Sequence, residues 1–234
     1  MSSTANGHGG GNGHGGGNGL GGGDGHTVLG NRVPGNGRGR GRVGNRLLLS
    51  LFRRSSIAVM RKYADWVEHS SEIEVSGPGA SYAGSAIYVC SAHDVPIVFL
   101  HRAHYDDRTL IDSHTKAGAL ATFAYAAGLV VSRGSQTPPE IERGVRAGNG
   151  AIFIVGDTES GRHQAELAAA LAIRTGAPVI PLRAESSRVV RVDWEGATMA
   201  WPGPSGAIRI DYGPLSRFTE APEAAAQRIR GMVL

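Results

Sequence analysis

The sequence is poor in features that would assign it to several common protein classes. Its single cysteine, Cys90, excludes an internal disulfide, and its position in an apolar run predicts a buried residue in a reducing compartment. Arg53 and Arg54 interrupt the first apolar run after residues 47–52, far short of the roughly 20 residues that a membrane-spanning helix needs. That run lacks a small-residue cleavage pattern, so no cleavable signal is expected. We therefore expect a cytoplasmic protein.

Several sequence motifs of catalysis and recognition are also missing. The chain contains no G-x-S-x-G nucleophile motif and no Cys-His spacing of a zinc site, so no metal is expected. Aromatic residues do not interleave with the Gly-Arg repeats at residues 37–42, which makes RNA binding the weakest interpretation of that segment. A nucleic-acid partner is accordingly not expected.

Glycine is concentrated at the N terminus. Of the 36 glycines, 19 fall within residues 1–44, where apolar side chains are few and follow no helical or strand period. Such a segment cannot bury enough surface to offset the entropy of ordering it. The sequence predicts a disordered tail over residues 1–45 and one α/β domain over residues 46–234.

Positive charge is local rather than general. The chain has a net charge of +4, yet residues 27–64 hold nine basic side chains and no acidic one. Beside the apolar segments 47–52 and 57–60, this composition suits a helix lying on an anionic membrane surface. It suits equally an N-terminal helix, over about residues 46–67, that packs on the domain with solvated arginines. Peripheral attachment to the cytoplasmic face of a membrane is the expectation that follows from the first interpretation.

Short apolar runs alternate with helical patterns along the rest of the chain. This alternation predicts a mostly parallel central sheet with helices on both faces. Runs with alternating polarity at 188–194 and 207–212 predict antiparallel edge strands. The predicted buried strands are 86–90, 96–100, 129–132, 151–155 and 178–182, and the predicted helices are 108–127, 138–147, 162–175 and 220–231.

His101 is the candidate catalytic residue. It follows the predicted strand 96–100, and side chains at the carboxyl ends of parallel strands face a crevice that commonly binds ligands. Asp106 could orient the imidazole if the chain turns between the two residues, which would let the ring act as a general base. Asp107 could replace Asp106, and His104 or His114 could compete with His101.

Four segments follow one another in a recognisable order. They are His101–Asp106, Gly128–Ser135, Gly156–Arg162 and Thr175–Pro181. Their order and spacing resemble the lysophospholipid acyltransferase superfamily over about residues 55–217. The RGS segment of residues 133–135 is similar to a branch known as a domain of unknown function.

The resemblance implies a role for each matching residue. By this likeness His101 is the base, Asp106 orients it, and Arg133 holds the acceptor's phosphate beside Gly134 and Ser135. The third block departs from the family's Pro-Glu-Gly-Thr-Arg-Ser pattern. Its counterparts here are Asp157, Thr158 and the displaced Arg162.

The implied activity is transfer of a fatty acyl group from acyl-CoA or acyl carrier protein to a hydroxyl of a lysophospholipid or related lipid, without a cofactor. The departures in the third block motivate an alternative, a catalytically degenerate relative that binds anionic lipid or nucleic acid through its basic segment. The outline of residues 156–163 also approaches a phosphate-binding P-loop. Arg162 and His163 replace the lysine and hydroxyl residue which that motif requires.

Overall fold

The computed structural model describes residues 41–111, 118–194 and 197–234. The helices are α1 (Gly41–Ser70), α2 (Val95–Arg102), α3 (Gly118–Ala126), α4 (Pro139–Arg146), α5 (Glu159–Thr175) and α6 (Pro222–Val233). The strands are β1 (Glu72–Ser76), β2 (Ile87–Ser91), β3 (Arg108–Ile111), β4 (Val130–Arg133), β5 (Ala151–Val155), β6 (Val179–Ser186), β7 (Val189–Trp194), β8 (Ala197–Pro202) and β9 (Ala207–Tyr212). The predicted tail of residues 1–45 lies almost entirely outside the described residues.

Seven strands form the central sheet in the order β1-β9-β6-β2-β5-β3-β4. The five from β6 to β4 are mutually parallel, whereas β9 is antiparallel to β6 and parallel to β1. A separate antiparallel pair consists of β7 and β8. The predicted α/β class with a mostly parallel sheet is confirmed.

The two faces of the sheet bury separate hydrophobic clusters. Strand β2 shows why, because Tyr88 and Cys90 face one cluster while Ile87 and Val89 face the other, as the two-residue period of a strand requires. Helices α1, α2 and α3 cover the first face, and α4, α5 and α6 cover the second. No described helix is long and apolar enough to cross a membrane.

Residues 96–100 form most of α2 and are not the predicted strand. Its residues Val95–Phe99 are all buried, so the apolar run has no exposed face to reveal a helical period. Pro96 in its first turn is a helix-start signal that outweighs the β-branched composition.

The predicted helix 108–127 was wrong over its first turn. Residues 108–111 form β3, and the helix begins at Gly118. Strand β9 is antiparallel to β6 as expected, but it is not an edge strand, because β1 pairs with its other side. The Glu-Ile-Glu-Val alternation of β1 is the pattern of an exposed edge.

The common direction of β6, β2, β5, β3 and β4 gives the sheet two distinct edges. We call the edge where these strands begin the amino edge and the edge where they end the carboxyl edge. Helix α2 leaves β2 at the carboxyl edge and returns the chain to β3 at the amino edge. This path fixes where each candidate residue lies.

Candidate functional site

The carboxyl edge gathers polar residues from neighbouring strands. His93 follows the end of β2, and Gly156–Thr158 follows the end of β5, which pairs with β2 through Ser91 and Val155. Arg133 ends β4, two strands further along the sheet. This edge is the usual ligand-binding crevice of an open parallel sheet.

His93 is exposed and is held in place by β8. Its backbone carbonyl accepts a hydrogen bond from the Ala200 amide at 2.9 Å, and its Nδ1 lies 3.2 Å from the Thr198 carbonyl. A carbonyl oxygen only accepts hydrogen bonds, so this contact places the ring proton of the neutral imidazole on Nδ1. No described residue makes a hydrogen bond with Nε2, so its lone pair can accept a proton from a substrate.

Arg133, Gly134 and Ser135 form the loop that leaves β4. The guanidinium of Arg133 is exposed, and no hydrogen bond or ion pair engages it within the described residues. The Ser135 carbonyl accepts a hydrogen bond of 2.5 Å from the His163 ring, which ties this loop to the first turns of α5. The structure therefore brings the second and third sequence blocks together.

The segment between β5 and α5 is a tight turn with a defined cap. The Thr158 hydroxyl accepts the Gly161 N–H at 3.1 Å and so caps α5. Gly161 lies so close to Gly156 that a Cβ on it would come within 2.5 Å of the Gly156 nitrogen. This contact explains why position 161 lacks a side chain in a turn that presents Arg162 at the surface.

Asp157 and Arg162 differ in their surroundings. Asp157 forms a 2.9 Å ion pair with Arg230 of α6. Arg162 is exposed, and nothing in the described part of the chain pairs with it. Two unpaired guanidiniums, those of Arg133 and Arg162, thus lie at the carboxyl edge near the N terminus of α5, which itself favours anions.

His101 lies elsewhere, at the end of α2 that has returned to the amino edge. Its Nε2 is 2.9 Å from the Tyr212 hydroxyl, which also accepts a hydrogen bond of 3.1 Å from Arg102. The Tyr212 proton is therefore available for the imidazole, which makes Nε2 the acceptor and places the ring proton on Nδ1. Burial, and then the charge of Arg102 and of His104, lowers the pKa of His101 to about 4.

Arg102 is the centre of a buried network beside His101. Its guanidinium makes two hydrogen bonds to Asp107, at 2.5 and 3.0 Å, and lies 4.0 Å from the ring centres of both Tyr88 and Tyr105. Arg102 is 5% exposed and Asp107 is fully buried. Burial raises the pKa of Tyr88 to about 12, although the charge of Arg102 acts in the opposite direction. A cavity of about 230 Å³ borders this network.

The predicted pairing of His101 with Asp106 is not made in this structure. Asp106 adopts a left-handed backbone conformation after a single 3₁₀ turn, and no hydrogen bond joins it to the imidazole. The residues five apart that do meet are Arg102 and Asp107. His101 and Arg133 also lie at opposite edges, separated by strands roughly 13–16 Å long. The catalytic role of His101 and Asp106 stays a prediction.

The structure also gives the surroundings of the residues that could take the place of His101 or Asp106. Asp107 is committed to Arg102, and His104 bonds the Glu68 carboxylate at 2.6 Å. His114 lies outside the described residues. His93 is the residue that the sequence reasoning missed, although it follows the correctly predicted strand 86–90, and the strand-end rule applied to His101 would have selected it.

The site shows no ligand set for a metal. No group of three or more histidine, cysteine, aspartate or glutamate side chains is close enough to hold one in the residues that the structure describes. The polar groups that the carboxyl edge presents are its imidazole, its guanidiniums and the backbone N–H groups at the start of α5.

The chain resembles a known protein in structure, although not in sequence family. No family model matches the chain, and no curated protein matches it. The structure is similar to that of the 1-acyl-sn-glycerophosphate (LPA) acyltransferase PlsC from Thermotoga maritima, with a TM-score of 0.44 and 16% identity over 82% of this chain and 86% of that chain.

Proposed function

We propose that this protein transfers an acyl group from a thioester, acyl-CoA or acyl carrier protein, to a hydroxyl of a lysophospholipid or related lipid. The four sequence blocks support the reaction class. The observation that carries the proposal is the carboxyl edge, where an imidazole with a free Nε2 shares one rim of the sheet with two unpaired guanidiniums, those of Arg133 and Arg162.

The reaction needs one base and no covalent enzyme intermediate. The imidazole takes the proton of the acceptor hydroxyl as its oxygen attacks the thioester carbonyl carbon. The resulting oxyanion would be stabilised by backbone N–H groups at the start of α5. Collapse breaks the carbon–sulfur bond, and the thiolate leaves with the proton from the imidazolium. Ester and free thiol are the products.

Two histidines compete for the role of base. The sequence resemblance assigns it to His101 with Asp106 as the orienting carboxylate. The geometry favours His93, because its Nε2 is unengaged and it shares the carboxyl edge with the guanidiniums, whereas the Nε2 of His101 is bonded to Tyr212. A base with a pKa of about 4 is also a weak proton acceptor at neutral pH.

The guanidiniums suit an acceptor that carries phosphate. Arginine presents a planar fork of N–H groups that meets phosphate oxygens in pairs. Arg133 and Arg162 would hold that phosphate, with Gly134, Ser135, Asp157 and Thr158 forming the two loops that present them. The ion pair with Arg230 leaves Asp157 a positioning rather than a direct binding role.

Helix α1 offers a surface for membrane attachment. Val59 and Trp66 are 65% and 58% exposed, and their spacing of seven places them on one face two turns apart. Lys62, which lies between them in the chain, is exposed and about 60° around the helix from Val59. An apolar strip beside a cation suits peripheral binding to an anionic membrane, where the lipid substrate resides.

The same surface supports the second candidate function, a non-catalytic protein that binds anionic lipid. The observation that favours it is the missing contact between His101 and Asp106, which leaves the sequence-predicted base without its carboxylate. Under this alternative the basic N-terminal segment and α1 carry the function, and no turnover occurs.

An activity assay separates the two functions. Purified protein is incubated with labelled acyl-CoA, or labelled acyl carrier protein, and with either lysophosphatidic acid or monoacylglycerol, which lacks the phosphate. The proposal predicts transfer with a preference for lysophosphatidic acid. Absence of transfer with every pair, together with salt-sensitive binding to anionic liposomes, would establish the non-catalytic alternative.

A further inference from the structure

A second basic site lies in a groove between α4 and α5, apart from the guanidiniums at the carboxyl edge. The groove encloses about 580 Å³, a volume within the range of small-molecule sites. The residues that define it chemically are Thr137, Glu142, Arg143, Arg146, Leu167 and Arg174. Three arginines against one glutamate give it an excess of positive charge.

Glu142 holds two of the three arginines in fixed positions. Its Oε1 accepts hydrogen bonds from Arg146 at 3.0 and 3.3 Å, and its Oε2 accepts one from Arg174 at 3.0 Å. Arg146 also donates to the Arg174 carbonyl at 2.7 Å. These bonds use the Nε atoms and one Nη2, so Nη1 of Arg146 and both Nη atoms of Arg174 keep donors for a ligand.

The remaining groups of the groove lack partners. Arg143 is exposed and pairs with no acidic group in the described parts of the chain. The Thr137 hydroxyl is buried and makes no hydrogen bond to any residue that the structure describes. A buried polar atom without a partner is costly, and a ligand oxygen seated in the groove would remove that cost.

One end of the groove adjoins the loop that is proposed to hold the acceptor. Thr137 and Gln136 follow directly after the Arg133–Ser135 loop, so a ligand in the groove lies next along the chain from the residues proposed to hold the acceptor. Leu167 supplies an apolar contact on the α5 side. A molecule with several phosphate groups and a flat apolar part would use both kinds of surface.

We propose that this groove binds the phosphorylated nucleotide of coenzyme A, so that acyl-CoA rather than acyl carrier protein is the donor. This inference rests on the proposed function for its biological meaning. The nucleotide of coenzyme A carries a diphosphate and a 3′-phosphate beside a purine, which matches three guanidiniums and the apolar contacts that Leu167 and Pro139 supply. A flexible thiol arm extends from the diphosphate and can carry the acyl group toward the carboxyl edge.

The test measures coenzyme A binding by calorimetry, with no acceptor present. We expect Arg143→Ala to weaken binding about 10-fold and Arg143→Ala with Arg174→Ala about 100-fold, since each lost charge-assisted contact is worth about tenfold. Dephospho-CoA should bind more weakly than coenzyme A to the parent protein. Arg209→Ala is the matched control, because Arg209 is an exposed arginine paired with Glu74 on β1, away from the groove.

Three results would overturn the inference. They are coenzyme A binding that the groove variants do not change, equal affinity for inorganic phosphate and coenzyme A, and transfer from acyl carrier protein in a protein that does not bind coenzyme A. His93→Ala keeps this test independent of the catalytic proposal, because that variant should bind coenzyme A normally. Loss of turnover with intact binding therefore concerns the base, and loss of binding concerns the groove.

Discussion

At the amino edge of the parallel strands the buried Arg102 guanidinium is fully engaged by neighbouring side chains, whereas at the carboxyl edge two exposed guanidiniums have no partner among the described residues. Arg102 is buried between two tyrosine rings and bonded twice to Asp107. The guanidiniums of Arg133 and Arg162 are exposed, and none of the described residues makes a hydrogen bond or ion pair with them. The two edges thus use the same side chain in opposite ways.

This difference separates stability from function. A buried pair whose hydrogen bonds are made internally has no capacity left for a ligand, and removing one member leaves a charge without solvation. An unpaired surface guanidinium adds little to stability but can bind an anion at no internal cost. We therefore expect amino-edge substitutions to unfold the protein and carboxyl-edge substitutions to weaken substrate binding.

The largest expected effect is at the amino edge. Asp107→Ala should lower the free energy of unfolding by about 3–5 kcal/mol, because it leaves the buried Arg102 guanidinium unpaired. Arg209→Gln, which removes an exposed ion pair with Glu74, should cost under about 1 kcal/mol. Urea denaturation of both variants checks this. An Asp107→Ala protein as stable as its parent would remove the contrast between the edges.

Substitutions at the carboxyl edge should change activity without changing stability. We expect Arg133→Ala and Arg162→Ala each to lower kcat/KM for lysophosphatidic acid by about 10- to 100-fold, the value of one or two charge-assisted hydrogen bonds. The melting temperature should stay at the parent value. For monoacylglycerol the same variants should show little change, and an equal loss with both acceptors would exclude phosphate recognition.

The turn before α5 offers a matched pair of glycine substitutions. Gly161→Ala forces a Cβ to within 2.5 Å of the Gly156 nitrogen, a backbone atom that cannot move aside, and should cost about 1–3 kcal/mol. A Cβ at Gly156 meets nothing within 4 Å, so Gly156→Ala should be close to neutral. Thermal melts compare the two. Equal stability of both variants would contradict the described packing of this turn.

The smallest expected effect is a pH dependence at the amino edge. The pKa of His101 is lowered from 6.5 to about 4, so between these values the unfolded chain binds more protons than the folded one. Its contribution to stability is complete above pH 6.5 and is lost as the pH falls toward 4, on the order of 1–2 kcal/mol because the ring is partly exposed. His101→Gln should flatten that slope in denaturation curves. Identical slopes for parent and variant would show that the imidazole is not desolvated.

The fold class could be predicted from the sequence because glycine and proline residues mark the ends of most strands and helices. Residues 151–155 form a continuous apolar run before a glycine, and 162–175 form a helical pattern that ends at Gly176. The helical structure of residues 96–100 could not be predicted, because a helix buried on all sides and a buried strand have the same apolar composition. Because of this one error the sequence analysis placed His101 at the carboxyl end of a strand, whereas the structure places it at the amino edge.

Part of the candidate site could also be predicted, because it adjoins elements whose bounds the sequence marks clearly. Arg133 and Arg162 follow or adjoin correctly predicted elements, and the structure brings their two loops together through Ser135 and His163. The contact of His93 with Thr198 could not be predicted, because it depends on where the β7-β8 pair lies relative to the central sheet. Long-range placement of that kind leaves no local periodic signal.

Turnover of two histidine variants tests the separation of the edges most directly. His93→Ala and His101→Ala are compared for single-turnover transfer from acyl-CoA to lysophosphatidic acid, with the folded fraction of each measured by circular dichroism. The carboxyl-edge assignment predicts loss of at least about 100-fold in His93→Ala, the usual value of a general base, and near-parent transfer per folded molecule in His101→Ala. Undiminished transfer by His93→Ala together with inactive, folded His101→Ala would contradict it and return the base to position 101.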